Sequence, residues 1–161
     1  MNIFDDITFQ YTLRLGHHAD EMSIILKGHL FIEYILNQII ELKCKNPSTI
    51  LNDHRTYTFA VKLQILYSMG LIPHHIYLNI RKLNTIRNRL SHNLEFDEKE
   101  IDYKFFKEDG IITVPIKSRS RYPIRRYLKL LSGATLIQLR NHVFKEFGFF
   151  PKYISDRRVN A

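Results

Sequence analysis

A long amphipathic pattern occupies residues 19–44, whose sequence is ADEMSIILKGHLFIEYILNQIIELKC. Its apolar side chains recur at spacings of three and four residues without a proline, which is the period of one face of an α-helix. This stripe consists of Met22, Ile25, Leu26, Ile32, Ile35, Leu36, Ile39 and Ile40. Asp20 and Glu21 favour the start of a helix through its dipole, and Lys43 favours its end. The stretch therefore predicts one long helix that ends before Pro47.

Three more long helices are predicted from the same kind of spacing. Residues 57–69 form the second, with Gly70 placed to end it, and residues 74–90 form the third. The last long helix is predicted over residues 123–147. Four substantial helices without a repeat or linker indicate a single domain rather than several.

The stretch between the last two long helices is less regular. Ile101, Phe105 and Phe106 predict a short amphipathic helix, and the pair Asp109-Gly110 signals a turn. The β-branched residues 111–114 predict a short extended segment. This strand signal is too sparse for an α/β sheet.

The predicted fold class is therefore all-α. We expect one domain over residues 1–161, folded as a four- to five-helix up-and-down bundle. A short basic insertion at about residues 110–122 precedes the last long helix, and residues 148–161 form a C-terminal tail.

Composition places the chain among ordinary globular proteins, with 161 residues of which 45% are hydrophobic and 25% are charged. The one cysteine, Cys44, excludes an intramolecular disulfide and a zinc cluster built on several cysteines, and we expect it to be an inert thiol. No apolar run approaches the roughly 18 residues that indicate a membrane span. The acidic start of the chain does not match a secretory signal. We expect a cytoplasmic protein with no membrane partner.

The net charge of +8 is concentrated in one stretch. Residues 110–145 contain eight Lys and Arg and no Asp or Glu, whereas the rest of the chain has 16 of each sign. Such a segregated basic region indicates a polyanion or an acidic protein surface as partner. The alternative is that these side chains form only a solvated helix face.

Polar side chains gather at the end of the third predicted helix, in the segment LNTIRNRLSH of residues 83–92. Arg87 and His92 are five residues apart, which separates them by roughly 140° on a continuous helix. A histidine exchanges a proton near neutral pH, and an arginine fork holds a phosphate group. Asn88 is suited to orient the phosphate or the ring. These residue types suit cleavage of a phosphodiester, whereas the alternative is that Arg87 and Asn88 bridge helices and His92 ends one.

Arg87-Asn88 and His92 match the Arg-x4–6-His motif of the HEPN superfamily (higher eukaryotes and prokaryotes nucleotide-binding), whose arginine is typically followed by Asn, Asp or His. The segment KGHLFIEYIL of residues 27–36 resembles the early long helix of HEPN families similar to the mannitol-operon repressor. The segment TFAVKLQILYSMGLI of residues 58–72 resembles the helix that precedes the motif helix in those families. The three blocks occur in the same order as in these relatives.

This resemblance implies a four- or five-helix bundle that forms a homodimer, with two motifs facing each other across a cleft. It also implies a metal-independent endoribonuclease without a cofactor, acting as the toxin or effector of a toxin–antitoxin or antiviral defence system. Carried onto this chain, the catalytic residues are Arg87, Asn88 and His92, and Glu33 takes a supporting acidic position. RNA is the implied substrate, and an antitoxin, of nucleotidyltransferase type or another small protein, is a further implied partner.

Five other arginines are expected to hold the RNA backbone by charge, with little sequence readout. They are Arg89, Arg119, Arg121, Arg125 and Arg126. The competing hypothesis is a non-catalytic HEPN-like regulatory or adaptor protein, whose basic stretch docks onto a protein or nucleic acid.

No metal site is expected at the doublets His17-His18 and His74-His75, because adjacent histidines on a helix point about 100° apart. Several aromatic residues lie among the basic ones, and they either stack on unpaired bases or belong to the core. They are Tyr122, Tyr127, Phe149, Phe150 and Tyr153.

Overall fold

The computed structural model describes residues 6–16, 19–92, 101–114 and 123–151, and of residues 92 and 123 it describes the helical backbone alone. Within these residues the chain is mostly helical, with six helices and one two-stranded sheet. In chain order the elements are α1 (Ile7–Leu15), α2 (Glu21–Lys43), α3 (Pro47–Leu51), α4 (Phe59–Ser68), α5 (His74–His92), β1 (Lys104–Lys107), β2 (Gly110–Thr113) and α6 (Pro123–Phe147).

The four predicted long helices are confirmed as α2, α4, α5 and α6. The carboxylate of Asp20 caps α2 by accepting a hydrogen bond from the backbone N–H of Ser23 at 2.6 Å. Just beyond α4, Gly70 takes a φ of 70°, and the N–H of Leu71 donates to the carbonyl of Leu66 at 3.0 Å. These caps explain why the apolar stripes end where they do.

Two short helices, α1 and α3, were not predicted. Asp6 caps the N-terminus of α1. Its carboxylate accepts hydrogen bonds from the backbone N–H groups of Thr8 and Phe9 at 2.9 and 3.2 Å. Asp6 also pairs with Arg140 of α6. Only Ile7 and Tyr11 of α1 are buried, so its apolar stripe is too short to stand out in the sequence.

The core forms around α2, which packs against α1, α3, α4, α5 and α6. Helices α2 and α6 run in the same direction along their whole length. Near their starts, Arg125 Nε donates to Glu21 Oε1 at 2.6 Å, and near their ends the ammonium of Lys43 lies 4.4 Å from the centre of the Phe147 ring. The two helices therefore form a parallel pair at the centre of the molecule.

Helix α5 runs opposite to α6. The carbonyl of Leu71, just before α5, pairs with the His142 ring at 2.9 Å, and further along Asn79 donates to Gln138 at 3.2 Å. A short turn joins α4 to α5, so α4 runs in the same direction as α2. The predicted up-and-down order therefore breaks between α2 and α4, where residues 44–58, including α3, return along the bundle. Helix α4 packs on α2 and α5, and α6 packs on α2, α5 and α1.

The short helix predicted from Ile101, Phe105 and Phe106 is wrong, because residues 104–107 form β1, which pairs antiparallel with β2. The extended segment predicted at residues 111–114 is confirmed over its first three residues, which lie in β2. A side chain of α5 favours the strand over a helix at β1. Asn79, fully buried, donates to the carbonyl of Phe106 at 2.8 Å and accepts from its N–H at 2.9 Å. Its amide thus takes the place of a neighbouring strand, which a helical backbone would not permit.

Gly28 lets α2 and α6 approach closely. A Cβ placed on Gly28 would lie 2.5 Å from Cβ of Ser132 and 3.7 Å from Cδ1 of Leu83. The Ser132 hydroxyl is buried, where it bonds to the carbonyl of Leu128 at 2.6 Å and to the Tyr11 hydroxyl at 2.5 Å. The contact between α2, α5 and α6 therefore requires small residues at positions 28 and 132.

Gly28→Ala is expected to lower the free energy of unfolding by about 1–3 kcal/mol, because its methyl group overlaps Ser132 in a packed core. Gly133→Ala is the matched control, since its Cβ would find its nearest neighbour at an ordinary 3.7 Å. Alanine favours helix over glycine by about 1 kcal/mol, so the control should stabilise the protein. Urea unfolding followed by circular dichroism measures both changes, and equal stability of the two variants would contradict the packing argument.

Candidate functional site

A groove of about 350 Å³ lies between α2, α4 and α5 and contains three of the predicted site residues. Its lining comes from the three helices and from the segment before α4: His29, Glu33, His54, Tyr57, Thr58, Phe59, Ala60, Asn84, Arg87 and Asn88. The motif helix α5 thus brings Arg87 and Asn88 against the early helix α2 that carries Glu33. Glu33 and Arg87 are far apart in the sequence, and the packing of α5 on α2 brings them to the same groove.

Arg87 is half-buried in this groove. Its Nη1 donates a hydrogen bond to Oδ1 of the neighbouring Asn88 at 2.9 Å. Its Nε is buried and has no hydrogen-bond partner among the residues that the structure describes. A buried donor without an acceptor costs about 1–3 kcal/mol. The guanidinium is therefore oriented by Asn88 while part of its donor capacity remains unused.

His29 lies beside Arg87 and was not predicted as a site residue. It is 8% exposed, and its ring packs on Phe59 with 3.8 Å between ring centres. Its Nε2, like Arg87 Nε, is buried with no hydrogen-bond partner in the described part of the chain. Burial lowers the pKa of His29 and Arg87 lowers it further, while Glu33 and the Asn84 side chain oppose this shift. The ring is therefore neutral at pH 7, with one nitrogen able to accept a proton.

A buried ion pair supports one wall of the groove. The ammonium of Lys62 in α4 donates to Oε1 of Glu33 in α2 at 3.1 Å. Lys62 is only 1% exposed, whereas Glu33 is 27% exposed. The pair fixes α4 against α2 near His29.

The helical backbone of α5 continues to His92, whose side chain lies outside the described residues. Leu83 and Ser132 both face Gly28, so they mark the same level of the antiparallel helices α5 and α6. Nine residues further along α5, and nine residues back along α6, His92 and Pro123 share one level about 14 Å away. The end of the motif helix and the start of α6 thus lie at the same end of the molecule.

The arginines predicted to hold RNA occupy different places. Arg89 is exposed on α5 and Arg126 is exposed on α6, while Arg119 and Arg121 lie outside the described residues. Arg125 is held by Glu21 on the α6 side of the bundle. Because α4 and α6 pack on opposite sides of the α2–α5 pair, the described part of the basic stretch is not beside the groove.

The other candidate residues lie in the core, at the surface or outside the described residues. Tyr127 is fully buried, and Phe150 stacks on Phe144 with 3.9 Å between ring centres. His74 bonds through Nδ1 to the Tyr67 hydroxyl at 2.8 Å. His17, His18, Tyr122 and Tyr153 lie outside the described residues. In the described segments, no group of three or more His, Cys, Asp and Glu side chains has a geometry that would hold a metal ion.

A larger groove, about 870 Å³, lies between the hairpin, the start of α5 and the end of α6. It is lined by His75, His142 and Glu108 among others, and burial lowers the pKa of His75. It contains none of the predicted site residues. Its described lining also holds no buried side-chain nitrogen or oxygen that lacks a partner. The smaller groove around Arg87 is therefore the better candidate for a functional site.

Glu33→Gln is expected to lower the free energy of unfolding by about 3 kcal/mol, because it leaves the buried ammonium of Lys62 without its charged partner. Lys62→Met should cost less, since Glu33 keeps contact with water. The double variant Glu33→Gln with Lys62→Met should be more stable than Glu33→Gln alone. Urea unfolding at pH 7 measures all three, and a larger loss in Lys62→Met than in Glu33→Gln would contradict this assignment.

No helix in the described segments combines the length and the apolar character needed to cross a membrane. Comparison of the chain with models of known protein families, with curated proteins and with solved structures finds no match.

Proposed function

We propose that this chain is a metal-independent endoribonuclease of HEPN type. In this proposal α2, α4 and α5 correspond to the early long helix, the preceding helix and the motif helix of the superfamily. One observation carries the proposal: Arg87 Nε and His29 Nε2 are buried in the same groove without hydrogen-bond partners in the described chain. A phosphate oxygen would accept the bond that Arg87 Nε lacks, and charge-assisted bonds of this kind are among the stronger ones.

The proposed reaction is an attack of a ribose 2′-hydroxyl on the adjacent phosphorus. A base takes the 2′-hydroxyl proton, the 2′-oxygen bonds to phosphorus, and the bond from phosphorus to the 5′-oxygen breaks as an acid protonates that oxygen. The products are a 2′,3′-cyclic phosphate and a 5′-hydroxyl. His92 transfers a proton, Arg87 holds the phosphate and stabilises its developing charge, and Asn88 orients Arg87.

A second copy of the chain would complete the site. His92 lies five residues beyond Arg87, about 7.5 Å along α5 and roughly 140° around it. A homodimer in which two α5 ends meet would bring the histidine of one copy towards the arginine of the other. A toxin or effector role follows from the same resemblance, and an antitoxin of nucleotidyltransferase or other type would act by covering this groove.

The alternative function is a non-catalytic regulatory or adaptor protein. It is favoured by the position of Arg125, which pairs with Glu21 on the side of the α2–α5 pair away from the groove. A basic surface there would serve a partner that does not reach Arg87. In that case Arg87 and Asn88 would form part of a structural network.

Arg87→Ala and His92→Ala should each reduce RNA cleavage by about 100-fold or more, because each removes one part of the transition-state machinery. Cleavage is measured on a labelled single-stranded RNA pool, with detection of 2′,3′-cyclic phosphate ends. Arg14→Ala and His75→Ala, which change the same residue types away from the groove, are the matched controls. Full activity in either site variant would contradict the nuclease assignment, and RNA binding without cleavage by the unaltered protein would favour the adaptor.

Cleavage should proceed at an unchanged rate in EDTA, because the proposed proton transfers and phosphate contacts use side chains alone. The rate is compared with and without the chelator on the same RNA, and added Mg²⁺ serves as the control. A strict requirement for a divalent ion would assign the groove to different chemistry.

A further inference from the structure

A second acid-free stretch covers the two helices that border the groove. Between Asp53 and Glu95 the chain has six Lys and Arg and no Asp or Glu. Two of these cations are neutralised by other parts of the chain, since Lys62 pairs with Glu33 and Lys82 pairs with Asp102. The remaining positive charge of α4 and α5 comes from arginines.

The groove around Arg87 continues along α4 and α5. A second depression of about 400 Å³ shares Ala60 and Asn84 with it. Its outer part is lined by Gln64 and Arg81 among others. The two depressions therefore form one surface, here called the α4–α5 groove, with Arg87 at one end and Arg81 at the other.

Arg81 is held in place without an acidic partner in the described chain. Its guanidinium lies over the Tyr77 ring, 5.5 Å from the ring centre. Tyr77 is fixed in turn, because its hydroxyl donates to Gln64 Oε1 at 2.7 Å and its ring stacks on Tyr67 with 3.9 Å between centres. Arg81 is itself exposed. An arginine stacked in this way keeps its donors directed outward, at a low entropic cost for binding an anion.

The lining between the two arginines carries no charge. It combines amide and hydroxyl groups from Asn84, Thr85 and Gln64 with the apolar side chains of Ala60 and Leu63. Arg81 and Arg87 are separated by six residues, about 9 Å along the axis of α5, and they point about 120° apart. This separation suits two successive anionic groups on one flexible chain better than a single small anion.

We propose that single-stranded RNA lies along the α4–α5 groove, with one phosphate at Arg87 and another at Arg81. This inference rests on the proposed function, because it takes Arg87 as the scissile-phosphate site. Arg81 would then hold a neighbouring phosphate, and the uncharged lining between the two arginines would contact sugars and bases without strong sequence preference. The strand follows α5, and the described basic residues of α6 do not line its path.

Binding is tested separately from cleavage with a fluorescein-labelled RNA of about 12 nucleotides that carries 2′-O-methyl sugars. This probe lacks the attacking hydroxyl and stays intact. Arg81→Ala should weaken its binding about tenfold, measured by fluorescence anisotropy, because one charge-assisted contact is lost. The slope of log Kd against log salt should also fall by about 0.7, the value for one phosphate contact on a single strand. Arg14→Ala, which removes an arginine on α1, should leave both quantities unchanged.

A second variant blocks the groove without removing a cation. Ala60 is exposed where the two depressions join, so Ala60→Glu places a carboxylate in the path of the strand and should weaken binding of the same probe. Met69→Glu puts the same charge at an exposed position just beyond α4, outside the groove, as the control. Circular dichroism confirms that each variant is folded.

The outcomes separate this inference from the nuclease assignment. If Arg81→Ala and Ala60→Glu weaken binding of the probe but the unaltered protein leaves cleavable RNA intact, RNA binding along the α4–α5 groove is supported and the nuclease assignment is contradicted. If RNA is cleaved while Arg81→Ala and Ala60→Glu bind the probe as tightly as the unaltered protein, the proposed RNA path along the α4–α5 groove is overturned and the nuclease assignment stands. Loss of binding equal in Arg14→Ala and Arg81→Ala would also overturn it, because the effect would then be one of net charge.

Discussion

The close contact of α2 with α6 determines the arrangement of the other long helices. It depends on Gly28, which has no side chain to hold the two backbones apart, and on the short side chain of Ser132 opposite. Because the two helices run in the same direction, α5 packs against both in the opposite direction, and α4 takes the remaining side of the α2–α5 pair. The groove at Arg87 exists only in this order of helices, since its walls come from α2, α4 and α5.

The ion pair of Lys62 and Glu33 beside the groove carries a desolvation penalty, because it removes charged groups from water. Apolar residues of similar volume in place of a buried pair often leave stability unchanged or higher. Lys62 nevertheless lies in α4 almost without exposure and reaches Glu33 next to His29. Its position beside two nitrogens without hydrogen-bond partners is consistent with a site whose polar groups serve a ligand rather than the stability of the fold.

The parts of the fold that the sequence could predict are helices whose apolar stripe repeats over several turns, from the ten buried residues of α2 to the four of α4. Helix α1 buries only Ile7 and Tyr11, too few for a pattern. A helix is predicted in place of β1 because Ile101 and Phe105 also fit a helical spacing. The strand is stabilised by Asn79 of α5, which is far away in the sequence and bonds to both backbone groups of Phe106. Pairing with a distant side chain leaves no local signal.

The same distinction holds within the site. Arg87, Asn88 and Glu33 lie at positions that a motif and its helix identify, and the structure places them around one groove. His29 and Lys62 were missed because each lies within an apolar stripe, where a polar residue has no partner until helices pack. A hint was present in the four-residue spacing of His29 and Glu33, which puts both on one face of α2.

A count of charges along the sequence does not show which charges lie near the groove. The basic stretch of residues 110–145 holds the whole net charge, yet Arg125 is paired with Glu21 on the far side of α2 and α5. Packed helices lie 8–10 Å apart, and α4 and α6 each pack on both α2 and α5 from opposite sides, so the axes of α4 and α6 are about 14–17 Å apart. At physiological ionic strength the Debye length is about 8 Å, and exposed charges at that distance contribute little there. Among the described residues that line the α4–α5 groove, the Lys and Arg side chains are Arg81 and Arg87, and both come from the acid-free stretch between Asp53 and Glu95.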